Sequence, residues 1–590
     1  MQRKELSLFG IKFKFKGRGK MSLRTPALRD QLIILPELLA ERVESGPHAA
    51  RFFLYLAGLL DLRIYKRLYL GAPPCNRPTL VAVILYAMYK GVFENRGIVQ
   101  FVEDSIGAQW ILNGMSMPSY KTVERTINGI IDELDYIFKY ILSLCEQQDL
   151  IGGERCYTDG VKVNANASKH KAMSYEYLGK KIGRGKEDLM GLFEALREQL
   201  DDCESLTEEE LQEIILEDAA SVNKGLRKIH KKALAERQER IFNKDYEETA
   251  GQDYTQTEKA AEKMAVEEIK NGLGTIKHID AEKHDEALEM LNNIGFLNKR
   301  VSRMESAKVE LEDKWRAENG NTKIPDKQQI NFTDSDSCIM QTKHHGVQQC
   351  YNNFAIVDDK ANIILGTYTS NNSSDQVSLI PCIENTERTY GSLSGFQLGA
   401  DAGFFSARNI DFTIGKGIDF YASYPEAKWL YAKDKFTYNG DTDTYTCPGG
   451  NTLTVEKRSK DGDICKYSNE DACRRCEHRK DCAKAKDGVR RIERDMWGDK
   501  LREEAREKAN SSEGKEILRL RKSIPEPVWG NIRTQDGFIQ MHYRGIDKAS
   551  LEFRLHGLVQ NIRKLMKVYM KSKSYQEVVH NGCGGCCKAA

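Results

Sequence analysis

The apolar residues of this chain change their period along its length, and the changes divide it. Ala49-Ala-Arg-Phe-Phe-Leu-Tyr-Leu-Ala-Gly-Leu-Leu60 and Thr79–Tyr89 are dense apolar runs of helical length. Pro118-Ser-Tyr-Lys-Thr122 opens another helix, with Ser119 placed to cap it. Residues 25–150 therefore read as short helices joined by tight turns. Helix-turn-helix DNA binders are built this way, and so are other small helical bundles. At Arg155-Cys-Tyr-Thr-Asp-Gly-Val-Lys-Val163 the period becomes two and β-branched residues appear, which predicts a strand with Asp159 inside it. Asp is disfavoured in strands. Asp159 is thus either a strand-end or bulge residue, or a carboxylate held by a rigid scaffold.

A charged segment follows at 180–329. Leu189, Leu192, Phe193, Leu196 and Leu200 form one helical stripe, and Leu297, Val301, Met304, Leu311 and Trp315 another. Two antiparallel helices packed on each other, with solvated charged faces, are expected here. Strand and helix signals then alternate. Gln349–Val357 and Asn362–Tyr368 flank a hairpin turn at Asp358–Ala361, and Asp375–Arg388 reads as a helix. Gly395–Gly403 reads as a strand with Asp401 at its exit, Ser406–Ile414 as a short helix, and Ile418–Ala422 as a further strand. A mixed sheet with helices follows from this order.

Composition narrows the classes. With 89 Lys and Arg against 87 Asp and Glu, the net charge of +2 excludes a uniformly basic protein, so a nucleic-acid surface must be a local patch. The basic arm at 1–24 holds such a charge run, and Ile11-Lys-Phe-Lys-Phe-Lys16 alternates as a strand would; a frayed tail and a DNA-contacting arm are the two readings. Lys564, Lys567 and Lys571 share a helical face near the C-terminus, readable as a solvated face or a phosphate-contacting stripe. No apolar run approaches the roughly 18 residues of a membrane span, and no apolar signal segment is visible. A cytoplasmic protein with reduced thiols is expected.

Eight of the 15 cysteines lie within 436–490 and the closing tail at 571–590. Cys447, Cys473, Cys476 and Cys482 can supply four thiolates to one tetrahedral zinc, with Cys465 or His478 as substitutes for one of them. Free thiols in a loop-rich segment are the alternative. A structural zinc would fold an insertion too small for a core of its own. Cys583-Gly-Gly-Cys-Cys587 reads as a flexible tail.

The element order places Asp159 on a first strand, Asp401 at the exit of a fourth, and Glu526 in Ser523-Ile-Pro-Glu-Pro-Val-Trp-Gly-Asn-Ile-Arg533, on a helix. This is the order of an RNase H-like fold, in which the first and fourth strands are neighbours and the helix packs across them. Three converging carboxylates repel unless cations neutralise them. Two Mg²⁺ ions held there can clamp the attacking and leaving oxygens of a phosphodiester displacement.

At these residues the chain resembles the DDE transposases of bacterial insertion sequences, in the subgroup with a helical N-terminal domain and a cysteine-bearing insertion. The resemblance spans roughly residues 45–570. Its motifs are Thr158–Asn166, Asp334–Asp336 with Tyr351-Asn352, Ala400-Asp-Ala-Gly-Phe404, Cys473–Cys482, Glu526–Arg533, Arg544-Gly545 and Leu558–Leu565. It implies Asp159, Asp401 and Glu526 as catalytic ligands of two Mg²⁺ (or Mn²⁺) ions. It implies binding of transposon-end inverted repeats and target DNA, strand cleavage and strand transfer, a homodimer in the DNA complex, and a bacterial, nucleoid-associated protein without a membrane segment. The family's Tyr, Arg and Lys around the Glu are here Arg519, Lys522 and Arg533, so Lys522 and Arg533 are the expected DNA contacts, although Lys gives up bidentate phosphate contact.

The expected organisation is an all-helical domain at 25–150, an RNase H-like catalytic domain at 151–179, 330–435 and 491–570, a helical insertion at 180–329 and a cysteine-rich insertion at 436–490. The rival readings are a catalytically decayed transposase acting as a DNA-binding protein, and a nuclease without strand transfer.

Overall fold

The computed structural model describes residues 6–8, 11–13, 49–60, 77–113, 115–131, 133–200, 207–243, 254–342, 346–425 and 427–571. The chain divides into two compact units, one of residues 1–88, 95–128 and 569–590, the other of residues 89–94 and 129–568.

In the first unit, strands β1 (Leu6–Leu8) and β2 (Ile11–Phe13) pair antiparallel, so part of the alternating arm is indeed a strand. The rest of the 1–24 arm lies outside the described residues. Both apolar runs are helices, Ala49–Leu59 and Arg77–Tyr89, and every side chain from Leu80 to Met88 is buried. Ser119 caps the helix Tyr120–Ile131 by accepting from the Thr122 amide at 3.2 Å, as its position predicts.

The second unit is built on a mixed sheet. Its strands are β3 (Arg155–Asn164), β6 (Cys338–Thr342), β7 (Gly346–Asp358), β8 (Ile364–Ser370), β9 (Gln397–Ala400) and β10 (Asp419–Ala422), with the order β10-β9-β3-β7, then β8 and β6 along the far edge of β7. The short strands β4 (Ala172–Ser174) and β5 (Gln329–Asn331) pair beside it. β3 runs antiparallel to β7 and parallel to β9, and β9 is parallel to β10. β7 is buried from Cys350 to Asp358, as a strand covered on both faces must be. The helix expected at Asp375–Arg388 begins only at Leu379 and runs to Thr389. Asp375 is held outside it, because Asn352 donates to its carboxylate at 2.8 Å. The helix Leu134–Gln147, expected with the N-terminal helices, belongs to the second unit and packs on Leu379–Thr389.

The charged insertion is helical. Tyr175–Arg197 and His284–Asn319 run antiparallel, since Leu178 and Ile182 meet Val301, Met304 and Leu311 while Phe193 and Leu196 meet Ala287, Leu291 and Ile294. The helix Glu208–Asn243 adds Leu211 and Ile215 to the second group. Trp315 closes the turn beyond its helix instead, donating to the Thr322 carbonyl at 3.1 Å.

The cysteine-rich segment departs most from expectation. It is no loop-rich insertion but a five-stranded antiparallel sheet of β11 (Thr437–Asn439), β12 (Thr444–Thr446), β13 (Thr452–Arg458), β14 (Ile464–Ser468) and β15 (Ile492–Asp495). It has its own core of Phe436, Tyr445, Leu453, Cys465, Tyr467 and Ile492. The Arg494 guanidinium lies 3.6 Å over the Tyr438 ring and binds Glu503 through both arms, at 2.7 and 2.8 Å. An aromatic cluster with a paired cation gives this segment a core of its own.

The long helix Ile546–Tyr569 is held by motif residues at its start and along its length. Asp334 accepts from the Gly545 amide at 3.1 Å and the Tyr351 hydroxyl at 2.8 Å, and Asp336 accepts from the Ile546 amide at 2.9 Å. These carboxylates satisfy amides at the helix start that have no partner within the helix. Farther on, Asn561 makes paired bonds of 2.8 Å to both backbone groups of Ile364. Lys564 is half-buried, and burial lowers its pKa, so the expected open lysine stripe is not uniformly solvated.

His542 and His556 give this region opposed pH responses. The buried Glu552 carboxylate accepts from the His542 ring at 2.5 Å, and this bond holds the His542 pKa above its usual value. Its stabilisation is complete below about pH 6.5, the ordinary histidine value, and is lost as pH rises through the raised one. His556 is fully buried and its pKa is lowered, so its contribution is lost as pH falls. A His542→Gln variant is therefore expected to lose the decline in stability that sets in above about pH 6.5 and to keep the acid-side decline. Urea midpoints measured across pH check this; an unchanged alkaline slope refutes it.

Candidate active site

β3 and β9 pair in parallel through Tyr157 and Gly399. Asp159 follows two residues on within β3, and Asp401 two residues on, just past the end of β9. The two strands are direct neighbours, and paired strands lie roughly 4.8 Å apart. Asp159 lies within its strand, so the strand-end reading is excluded. Asp401 ends its strand in extended conformation and turns the chain, accepting from the Gly403 amide at 2.8 Å.

Glu526 stands in the first turn of the helix Pro525–Gln535, which packs on β3. The sequence dictates this placement. Proline at the first helical position forfeits no hydrogen bond. Pro525, Val528 and Ile532 form the buried stripe, and Trp529 stacks on Phe553 with centroids 5.7 Å apart. Asn362 donates to the Ile524 carbonyl at 3.1 Å and pins the helix entrance. Glu526 is left exposed at the positive end of the helix dipole. Arg533, seven residues on, lies on the same helix face about 10.5 Å along the axis. Lys522 is exposed in the preceding turn, and neither it nor Arg533 forms an ion pair among the described residues. Arg519, in the family's aromatic place, is bound to Glu516 at 2.8 Å.

Among the described residues no three His, Cys, Asp or Glu side chains converge as a metal-holding group. The pairing of β3 with β9 runs through Tyr157 and Gly399, two residues before Asp159 and Asp401, and the helix that carries Glu526 packs on β3. The donor chemistry suits a hard cation such as Mg²⁺, and the glycine at 403 keeps space open beside Asp401. A Cβ there would lie 3.0 Å from Asp401 Oδ1 and 2.7 Å from Asp375 Oδ2.

Sequence reasoning missed Asp375. It is half-buried next to Asp401, and its pKa is raised, mainly by burial, with Asp401 adding to the rise and Asn352 and Lys162 opposing it. The signal was present in Asn352 and Lys162, which pair across β3 and β7 and so share a face.

The cysteines cluster in part. Cys447 and Cys482 pack on one core, and the Asn451 amide donates to Cys447 Sγ at 3.3 Å. Burial raises the Cys482 pKa, and Cys473, Cys447 and Cys476 are near enough to add to it. His478 lies near this group, as the spot a Gly449 Cβ would fill is 3.7 Å from Cys447 Sγ and 3.9 Å from His478 Cδ2. Cys465 is buried in the sheet core on which Cys447 and Cys482 pack.

No helix among the described residues is long and apolar enough to cross a membrane. No curated protein and no solved structure matches the chain. Residues 446–566 match the family described as transposase DDE domain. That stretch contains Glu526, Lys522, Arg533 and the four clustered cysteines, while Asp159 and Asp401 lie before it. This match supports a DDE transposase.

Proposed function

We propose that the protein cleaves transposon ends and joins them to target DNA, using an RNase H-like sheet whose acidic residues are Asp159, Asp401 and Glu526. The observation that supports this reading is the parallel pairing of β3 with β9 through Tyr157 and Gly399, two residues before Asp159 and Asp401, with the Glu526 helix packed on β3. DDE transposase domains generally use divalent metal ions. Two Mg²⁺ or Mn²⁺ ions here would supply charge neutralisation at the scissile phosphate. Asp159 and Asp401 hold their carboxylates on rigid strands, and the helix dipole keeps Glu526 ionised. Exposed Lys522 and Arg533 give charge-assisted contacts to the DNA backbone on either side of Glu526. Two transposon ends brought together call for a homodimer on DNA.

Incubating the protein with Mg²⁺ and the inverted repeats flanking its gene tests this. Cleaved ends and joined products are expected. Binding without cleavage would favour the decayed transposase, and cleavage without joining a nuclease.

We also assign Cys447, Cys473, Cys476 and Cys482 to zinc, with the metal pinning one end of the five-stranded sheet and not folding it. Purified protein is expected to carry about one zinc per chain. Chelation should leave the near-ultraviolet signal of the tyrosine core in place, because that core stands on its own contacts. Metal-free protein as purified refutes the site, and loss of the tyrosine signal on chelation refutes the limited role.

A further inference from the structure

The acidic site, on the reading above, holds one more carboxylate than its triad. Gly403 fixes where the extra one stands. The point a Cβ would occupy on Gly403 is 2.7 Å from Asp375 Oδ2 and 3.0 Å from Asp401 Oδ1, so the two oxygens are at most 5.7 Å apart. Both side chains are tied in place from behind. Asn352, itself buried, donates to Asp375 Oδ1 at 2.8 Å, which leaves Oδ2 turned toward Asp401. Asp401 Oδ1 accepts from the Gly403 amide. Lys162, on the Asn352 side of the sheet, offsets part of the charge. Two carboxylates held this close repel, and neither is free to turn away.

We infer that Asp375 is a positioning residue, fixed by Asn352 to press its charge on Asp401, so that the site is strained without a divalent cation and relaxes when one binds. Asp375 thereby couples cation binding to the order of the Asp401 turn. Glycine at 403 is required because any side chain would fill the space between the two oxygens.

Thermal unfolding of the full chain, with and without MgCl₂ or MnCl₂, tests this in wild type, Asp375→Asn and Asp401→Asn. Asparagine at 375 still accepts from Asn352, so a merely structural role predicts an unchanged or lower Tm and an unchanged cation shift. The expected result is a higher Tm for Asp375→Asn without cation and a cation-induced rise at most half that of wild type. A lower cation-free Tm, or a full cation-induced rise in Asp375→Asn, overturns the inference while leaving the metal reading of the site intact. If wild type itself shows no rise with either cation, or Asp401→Asn keeps the whole of it, the metal reading fails and the role of Asp375 fails with it.

Discussion

Asp159→Asn and Asp401→Asn are each expected to reduce DNA-end cleavage by about 10³-fold or more while leaving the protein folded. Removing one anionic ligand from a metal-assisted phosphoryl displacement costs several kcal/mol of transition-state stabilisation, and each 1.36 kcal/mol is about tenfold in rate. Folding should be spared for reasons specific to each site. Asp401 acts locally as a cap that accepts from the Gly403 amide, and asparagine caps about as well as aspartate. Asp159 accepts from the neighbouring Gly160 amide, which an asparagine carbonyl can do too. Glu526→Gln should fall in the same class. Its side chain is exposed and contributes nothing to the buried stripe of its helix. Arg533→Ala is expected to weaken DNA binding and reduce its salt dependence without abolishing chemistry at saturating DNA. Gel assays of cleavage, beside unfolding curves for each variant, separate the two effects. Cleavage within tenfold of wild type in both aspartate variants would sink the assignment.

How much of this was legible in the sequence depends on the distance over which each feature is determined. Local pattern was enough for β3, the β7–β8 hairpin, and the strand leading to Asp401, because burial on one or both faces writes itself into the period of the residues. It was enough for the cap at Ser119. It failed where distant partners decide. Asp375 looked like the start of a helix, yet Asn352 holds it out of the helix. Asp334 and Asp336 stood among the motif residues with no role attached, and their work is to anchor a helix more than 200 residues away in the chain. The cysteine-rich segment was misread because its strands are only three to seven residues long, and its tyrosine core forms only when five of them stack. The candidate site shows the same division. The acidic residues stand out as types in a pattern, whereas the strand order that makes β3 and β9 parallel neighbours is set by partners more than 200 residues apart.

The largest expected loss of stability comes from Asp536→Ala, a residue with no part in the chemistry. Asp536 is completely buried at the end of the Glu526 helix. It pairs with Arg563, accepts from His556 Nδ1 at 3.0 Å, and is near Gln560 Nε2 at 3.4 Å. Phe93 stacks on the His556 ring with centroids 3.7 Å apart, and Phe538 lies 4.1 Å away. Water cannot replace a lost partner in so closed a place. Alanine would leave the Arg563 cation with only the Tyr89 carbonyl, 2.8 Å away, and no counter-charge. Breaking a buried pair in this way costs about 3–5 kcal/mol, a large part of the 5–15 kcal/mol that typically holds a domain together. Asp536→Asn should cost less, since its carbonyl still accepts from His556. Replacing both partners, with Asp536→Leu and Arg563→Met together, should recover much of the loss, because no uncompensated charge remains. Urea unfolding and amide exchange in the helix Ile546–Tyr569 measure the series. An Asp536→Ala protein within about 1 kcal/mol of wild type, or a double variant no better than the single one, would show that the charge pair does not fasten the Glu526 helix to the long helix behind it.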